Sequence, residues 1–222
     1  MPMPRVFRTG GFFFLIALAA LGGGCSSAYY GAMEKIGFPK REILVDRVAD
    51  TQKAQTAAKE QFSSALEHFL AVTKADAGDL QRKYDDMNGQ FARSEARAKE
   101  VRERIAAVED VAGALFEEWK QELKQYSNAS LRAESQRQLD ATRRRYDDLM
   151  RLMRRAADRM EPVLSTFRDQ VLFLKHNLNA RAIASLDTAN RELEADISRL
   201  ITDMEVSIRE CQAFIASLKS TP

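Results

Sequence analysis

Glycine and proline are scarce in the second half of this sequence, and cysteine and histidine are scarce throughout. The 222 residues include ten glycines, five prolines, two cysteines and two histidines. No glycine follows Gly113, and Pro162 is the only proline between residues 114 and 221. Because the turns of a sheet protein need glycine and proline at short intervals, their absence excludes a sheet and predicts an all-α fold.

Recognisable catalytic and metal-binding motifs are also missing. The sequence has no phosphate-binding Gly-x-x-x-x-Gly-Lys-Ser/Thr loop, no Gly-x-Ser-x-Gly, no His-Glu-x-x-His and no Cys-x-x-Cys. The two histidines are His68 and His176, and a histidine near a helix end is typical of capping rather than catalysis. We therefore predict that the protein is not an enzyme and has no catalytic residue, metal ligand or cofactor.

The first 24 residues have the layout of a signal peptide. Arg5 and Arg8 precede the apolar residues 12–21, which are followed by three glycines and Cys25. Ten apolar residues would rise roughly 15 Å as a helix, about half of the hydrocarbon thickness of a bilayer, so cleavage is favoured over a permanent span.

Small residues directly before Cys25 resemble the lipobox of bacterial lipoproteins, although Gly22 stands where that pattern prefers leucine. We predict that residues 1–24 are removed, that Cys25 is lipidated, and that residues 25–38 form a tether. Ser26 favours the outer membrane over the inner one, with the protein on the periplasmic face of the cell envelope. The alternative is a plain secretory peptide with a cysteine near the cleavage site.

The charges of the mature chain balance. Lysine and arginine number 34 against 32 acidic residues, and Arg5 and Arg8 belong to the predicted signal peptide, so the remainder carries no net side-chain charge. Export and zero net charge argue against a nucleic-acid partner. With Cys25 lipidated, Cys211 remains as a single thiol, which excludes a disulfide framework and predicts that Cys211 is buried.

Residues 39–222 predict four long helices at about 40–74, 79–126, 130–176 and 180–218. Pro39 marks the first helix start, and Gly78 with Asp79, Asn128 and Asn179 mark the three breaks. Since every connection is short, consecutive helices should be antiparallel.

Apolar residues recur every seven positions in these helices. This period predicts nearly parallel helix axes with knobs-into-holes packing, and hence an elongated antiparallel four-helix bundle with coiled-coil-like packing. The alternative is an extended coiled coil that needs a second copy to cover its apolar seam. In the second helix the seam comprises Tyr84, Phe91, Ala98, Ile105, Ala112, Trp119 and Tyr126.

The third helix carries an arginine-rich face that includes Arg144, Arg151, Arg155 and Arg159. Clustered arginines hold phosphate or carboxylate groups, so these four residues are candidates for contact with an anionic component of the envelope. The alternative is a solvated helix with intrahelical ion pairs, because Arg154 and other arginines have an aspartate four residues later.

The most hydrophobic internal segment is residues 167–179, where Leu172 and Phe173 fall outside the apolar seam. These two residues are candidates for a protein-contact surface. The alternative is a helix end buried inside the bundle.

Three segments resemble a family of uncharacterised bacterial proteins that is catalogued as a domain of unknown function. Its members look like secreted or lipidated all-helical proteins with coiled coils, which implies the same fold here and assigns no activity, substrate or catalytic residue. The segments are residues 167–186, Leu115-Phe116-Glu117-Glu118-Trp119 and Cys25-Ser26-Ser27-Ala28-Tyr29-Tyr30.

These observations together predict a membrane-anchored periplasmic helical lipoprotein that acts as a structural or protein-interaction module of the cell envelope. Its partners would be the membrane, through lipid on Cys25, and an envelope protein, with a homo-oligomer as a further option. The alternative function is a carrier that holds an apolar ligand or lipid between its helices.

Overall fold

The computed structural model describes Tyr30 and residues 39–74, 80–177 and 187–220. These residues form four long helices and, within those ranges, no strand, so the all-α prediction is confirmed. At 1.5 Å per residue the longest helix extends roughly 72 Å. The helices are α1 (Lys40–Lys74), α2 (Leu80–Leu123), α3 (Ala129–His176) and α4 (Asp187–Ser220).

Consecutive helices are antiparallel, as cross-helix contacts between α1 and α2 illustrate. The Lys40 ammonium at the start of α1 lies 2.8 Å from a carboxylate oxygen of Glu118 near the end of α2. At the other end of the pair, His68 Nδ1 is 2.7 Å from Asp86 Oδ2. Each helix packs on two neighbours in the ring order α1, α2, α3, α4 and back to α1, which makes a four-helix bundle.

The core follows the predicted seven-residue spacing. In α2 the residues Met87, Ser94, Val101, Val108 and Leu115 are all buried, as knobs-into-holes packing requires. The largest fully buried side chains of the bundle are Phe62, Phe69, Phe167, Phe214, Leu44, Met87, Leu149, Met153, Met160, Leu174, Leu193 and Ile197.

Four polar residues of the helices are also fully buried. Thr51 and Gln55 of α1, Ser94 of α2 and Ser207 of α4 are fully excluded from solvent. Thr51 donates its hydroxyl to the backbone carbonyl of Arg47, and Ser94 to that of Gln90. The Gln55 amide and the Ser207 hydroxyl have no hydrogen-bond partner within the part of the chain that the structure describes.

The described helix boundaries lie within three residues of the predicted ones, apart from the start of the fourth helix, and the end of α2 differs most. The predicted end was residue 126, but α2 ends at Leu123 and residues 124–128 form the turn. The Asn128 side chain accepts hydrogen bonds from the backbone amides of Ser130 and Leu131, which caps α3. The predicted signal peptide, Cys25 and the predicted start of the fourth helix at residue 180 lie outside the described residues.

Candidate functional site

One end of the bundle encloses a small cavity. It lies where the first turn of α1 and the last turn of α4 meet α2 and α3, and its volume is about 180 Å³. This volume is smaller than the 300–1,000 Å³ that is usual for small-molecule sites. The cavity is lined by Arg41, Leu115, Glu118, Trp119, Glu122, Thr142 and Leu218.

Hydrogen bonds fix the polar groups around this cavity. Lys40 is buried and its ammonium pairs with Glu118. The Trp119 indole donates to Ser135 Oγ at 2.8 Å, and Arg41 donates to the backbone carbonyl of Leu218. The cavity can therefore enclose a small apolar group, whereas a whole lipid would require the helices to separate.

The α2–α3 turn at this end exposes two large apolar side chains. Tyr126 is 39% exposed and Leu131 is 57% exposed. Tyr126 was predicted in the core seam, and that prediction is wrong because α2 ends three residues earlier. Beside them lies an open groove lined by Lys120, Leu123, Lys124, Ala129, Arg132, Ala133 and Gln136.

Leu172 and Phe173 lie near the opposite end of the bundle, in the last turns of α3. They are 50% and 41% exposed. A contact surface requires this exposure, whereas a helix end buried inside the bundle would not show it. Their neighbours Val171 and Leu174 are buried in the core. The exposed pair therefore sits on a helix that is firmly packed by its other face.

Two of the four arginines proposed for anion binding are held by a carboxylate of another helix. Arg155 Nη2 lies 3.1 Å from Asp203 Oδ1, and Arg159 Nε lies 2.5 Å from Asp203 Oδ2. The Asp203 side chain is 12% exposed, so this pair of contacts joins α3 to α4 in a partly desolvated position. One Asp203 carboxylate thus serves two guanidinium groups, so this cluster retains one positive charge, and the Arg155 side chain is still 62% exposed.

The other two arginines lie on the open face of α3. Arg151 pairs with Asp148 one turn earlier, and Arg144 is exposed. Arg154 pairs with Glu109 of α2 at 2.7 Å rather than with the aspartate four residues later. A shallow groove on this face is lined by Tyr146, Asp147, Met150, Arg151, Arg154, Arg155 and Asp158.

Tyr146 is the titratable residue on this face whose pKa is shifted strongly. Burial raises the pKa of Tyr146 to about 12, and the Glu109 carboxylate adds to the effect. Its ring packs edge-on against Phe116, with centroids 5.3 Å apart. Tyr146 is therefore a packing residue that stays protonated at neutral pH.

The histidines lie apart from one another and from the cavity. His68 pairs with Asp86 on the surface between α1 and α2, whereas His176 is exposed at the end of α3. Within the described ranges, no three acidic, histidine or cysteine side chains are grouped as metal ligands. The same ranges contain no helix with the length and hydrophobicity of a membrane span.

Tyr30, in the predicted tether, is attached to the side of the bundle. Its side chain is buried, and its hydroxyl donates to Asp110 Oδ2 of α2 at 2.7 Å. This contact places Tyr30 beside α2, about two turns from Glu118, where α1 begins. Cys25 itself lies outside the described residues.

The fold and these surfaces define a rod-shaped helical bundle that offers contact surfaces and a small cavity. The family model described as "Protein of unknown function (DUF2959)" matches residues 29–218. The chain belongs to this family, which confirms the resemblance seen in the sequence. No curated protein and no solved structure matches the chain.

Proposed function

We propose that the protein is a lipid-anchored module of the bacterial cell envelope that stands on the periplasmic side and acts by contact with another envelope protein. The outer membrane is the favoured location, from the residue that follows Cys25. The proposal assigns no catalytic activity, cofactor or nucleic-acid partner to the chain.

The observation that carries this proposal is the position of the exposed pair Leu172 and Phe173. The tether enters α1 at the end of the bundle that contains Glu118, and α3 runs from that end toward Phe173. Phe173 is 44 residues beyond Ala129, which corresponds to roughly 66 Å along the helix. A bundle anchored through Cys25 would present this apolar pair far from the bilayer, where a partner can reach it.

Burial of this pair in an interface would be favourable. Complete burial of a leucine or phenylalanine side chain contributes about 1.5–3 kcal/mol each, and both side chains are roughly half exposed. Large exposed apolar side chains that lie together are typical of protein-contact surfaces. The buried neighbours of the pair keep it in one orientation, which lowers the entropy cost of binding.

Metabolic labelling with a fatty acid tests the anchor. The full chain should incorporate label and float with membranes, whereas Cys25→Ser should remain unlabelled. Label that survives in Cys25→Ser, or a wild-type chain without label, would contradict the anchor.

Photo-crosslinking in cells tests the contact surface. A photoreactive residue in place of Phe173 should capture a discrete envelope protein, and Leu172→Glu should abolish this crosslink. The same photoreactive residue at Ser165, an exposed position eight residues earlier in α3, serves as the control. Equal capture from both positions, or none from Phe173, would contradict a specific surface; capture of a second copy would identify self-association as the contact.

The second candidate function is a carrier for an apolar ligand. The cavity beside Trp119 favours it, because the side chains around it leave that space unfilled. Native mass spectrometry of the purified full chain should then show a bound mass that organic extraction removes. A single mass equal to that of the processed chain would contradict this function.

A further inference from the structure

The hairpin formed by the end of α2 and the start of α3 extends beyond the other two helices. α1 begins beside Glu118, and Leu218 near the end of α4 is in contact with Arg41 of that same first turn of α1. Among the described residues, only α2 and α3 continue beyond this level. All six residues from Ala129 to Glu134 are exposed, although they belong to a helix, because neither α1 nor α4 covers them.

The tip of this hairpin, defined as residues 120–133, combines apolar and basic side chains. Tyr126 and Leu131 are two of the four large hydrophobic residues that are exposed in the described parts of the chain. Lys120, Lys124 and Arg132 line the groove beside them. An amphipathic aromatic ring with lysine and arginine is the composition that binds the headgroup region of a bilayer.

The charge of the tip suits an anionic surface. Residues 120–133 contain three cationic side chains against a single carboxylate, Glu122. Lys120 also lies 3.9 Å from Glu117, but this ion pair is solvent-exposed and therefore weak. The Lys120 ammonium can still attract an anion that approaches the tip. Basic side chains next to a membrane are attracted by anionic lipids within about a Debye length of 8–10 Å.

The length of the tether brings this tip to the membrane. Tyr30 is held at Asp110, and the five residues from Cys25 to Tyr30 span at most about 18 Å when fully extended. From Asp110 to Leu123, the last residue of α2, the helix extends roughly 20 Å. When the bundle stands with this end toward the bilayer, a lipid on Cys25 therefore cannot lie far beyond the tip, and the tip reaches the bilayer.

We propose that the α2–α3 tip docks on an anionic lipid surface and forms a second membrane contact beside the lipid on Cys25. Tyr126 and Leu131 enter the headgroup region, and Lys120, Lys124 and Arg132 contact lipid phosphates. The contact fixes which end of the rod faces the bilayer. This inference rests on the proposed lipid anchor, and its test separates the two.

The test places a fluorescent probe at each end of the full-length lipidated chain in vesicles of phosphatidylethanolamine and phosphatidylglycerol. Tyr126→Cys and Phe173→Cys carry the same environment-sensitive thiol dye, and the two native side chains are almost equally exposed, at 39% and 41%. Cys211 stays unlabelled because it is buried and burial raises the pKa of its thiol to about 12. Circular dichroism confirms that both variants are folded.

On vesicles, the dye at position 126 should emit at a shorter wavelength than in buffer, and nitroxide-labelled headgroups should quench most of its fluorescence. The dye at position 173 should show the same emission as in buffer and no quenching. Lys124→Glu with Arg132→Glu, both on exposed side chains, should abolish the quenching, as should replacement of all anionic lipid by phosphatidylcholine. Equal quenching at both positions, or none at position 126, would overturn the tip contact.

Flotation of the same samples reports on the anchor independently. A chain that floats with the vesicles but shows no quenching at position 126 would leave the anchor intact and disprove the tip contact. A chain that does not float, and that takes up dye at Cys25, would disprove the anchor and the inference with it.

Discussion

The interface between α2 and α3 differs from the interface between α1 and α4. The first is closed by three cross-helix ion pairs and by edge-on packing of Phe91 on Phe167, with centroids 5.7 Å apart. The ion pairs are Arg102 with Glu161, Arg154 with Glu109 and Arg168 with Glu95. Its polar groups are therefore matched across the two helices.

The interface between α1 and α4 joins two helices that each carry buried polar groups without partners. Both polar atoms of the Gln55 amide and the Ser207 hydroxyl are buried and make no hydrogen bond within the described parts of the chain. Lys59 pairs with Glu205 on the surface of the same interface at 3.3 Å. Each buried polar group without a partner costs about 1–3 kcal/mol.

This difference indicates how the bundle opens. We expect the seam between α1 and α4, the helices that carry the buried polar groups without partners, to separate first under destabilising conditions. An apolar ligand, if the carrier function holds, would enter through this seam. Three substitutions or conditions test the comparison.

Phe167→Ala should have the largest effect on stability. The Phe167 ring packs edge-on against both Phe69 of α1 and Phe91 of α2, so its loss leaves a cavity among three helices. We expect a decrease of about 3–5 kcal/mol in the free energy of unfolding, measured by urea denaturation. Phe214→Ala is the matched control, since Phe214 is equally buried but contacts no other aromatic ring of the described residues, and it should cost about 1 kcal/mol less. Equal losses would show that the ring contacts add nothing.

Gln55→Leu should stabilise the protein by about 1–2 kcal/mol, because it removes a buried amide that has no partner. The control is Gln90→Leu in α2, whose side-chain oxygen accepts a 2.9 Å hydrogen bond from Gln61. That variant should be less stable than the wild type. A less stable Gln55→Leu would mean that this amide binds a partner in solution.

Alkaline pH should destabilise the protein through Cys211 of α4. Burial raises the pKa of its thiol from 9.0 to about 12, so the unfolded chain loses this proton first and stability falls as the pH rises above about 9. The slope from one group is at most about 1.4 kcal/mol per pH unit. Urea titrations between about pH 8 and about pH 10 should show a smaller fall in Cys211→Ala than in the wild type. Parallel curves would exclude Cys211 as the cause.

Most of the fold could be predicted from the sequence, because seven-residue periodicity and the lack of glycine are local signals. Met87, Val101 and Val108 are buried as their spacing requires. The end of α2 could not be placed, since Tyr126 continues the apolar period although the helix has already ended three residues earlier, at Leu123.

The candidate surfaces were predictable only in part. Leu172 and Phe173 could be selected because they fall outside the seam of their own helix. The pairing of Arg155 and Arg159 with Asp203 could not be predicted. It depends on the register between α3 and α4, which the sequence pattern of one helix does not determine. The hydrogen bond from Tyr30 to Asp110 was likewise unpredictable, because the two residues are 80 positions apart in the sequence.

The antiparallel ring of helices has a practical consequence for reporter fusions. The end of α4 at Ser220 lies at the same end of the rod as the start of α1. A fluorescent protein joined to the carboxyl terminus would therefore crowd the end that the lipid and the hairpin tip require. An insertion between Lys74 and Leu80, at the opposite pole, would leave that end free but would approach the apolar pair of α3. Tag placement thus decides which of the two contacts an experiment can observe.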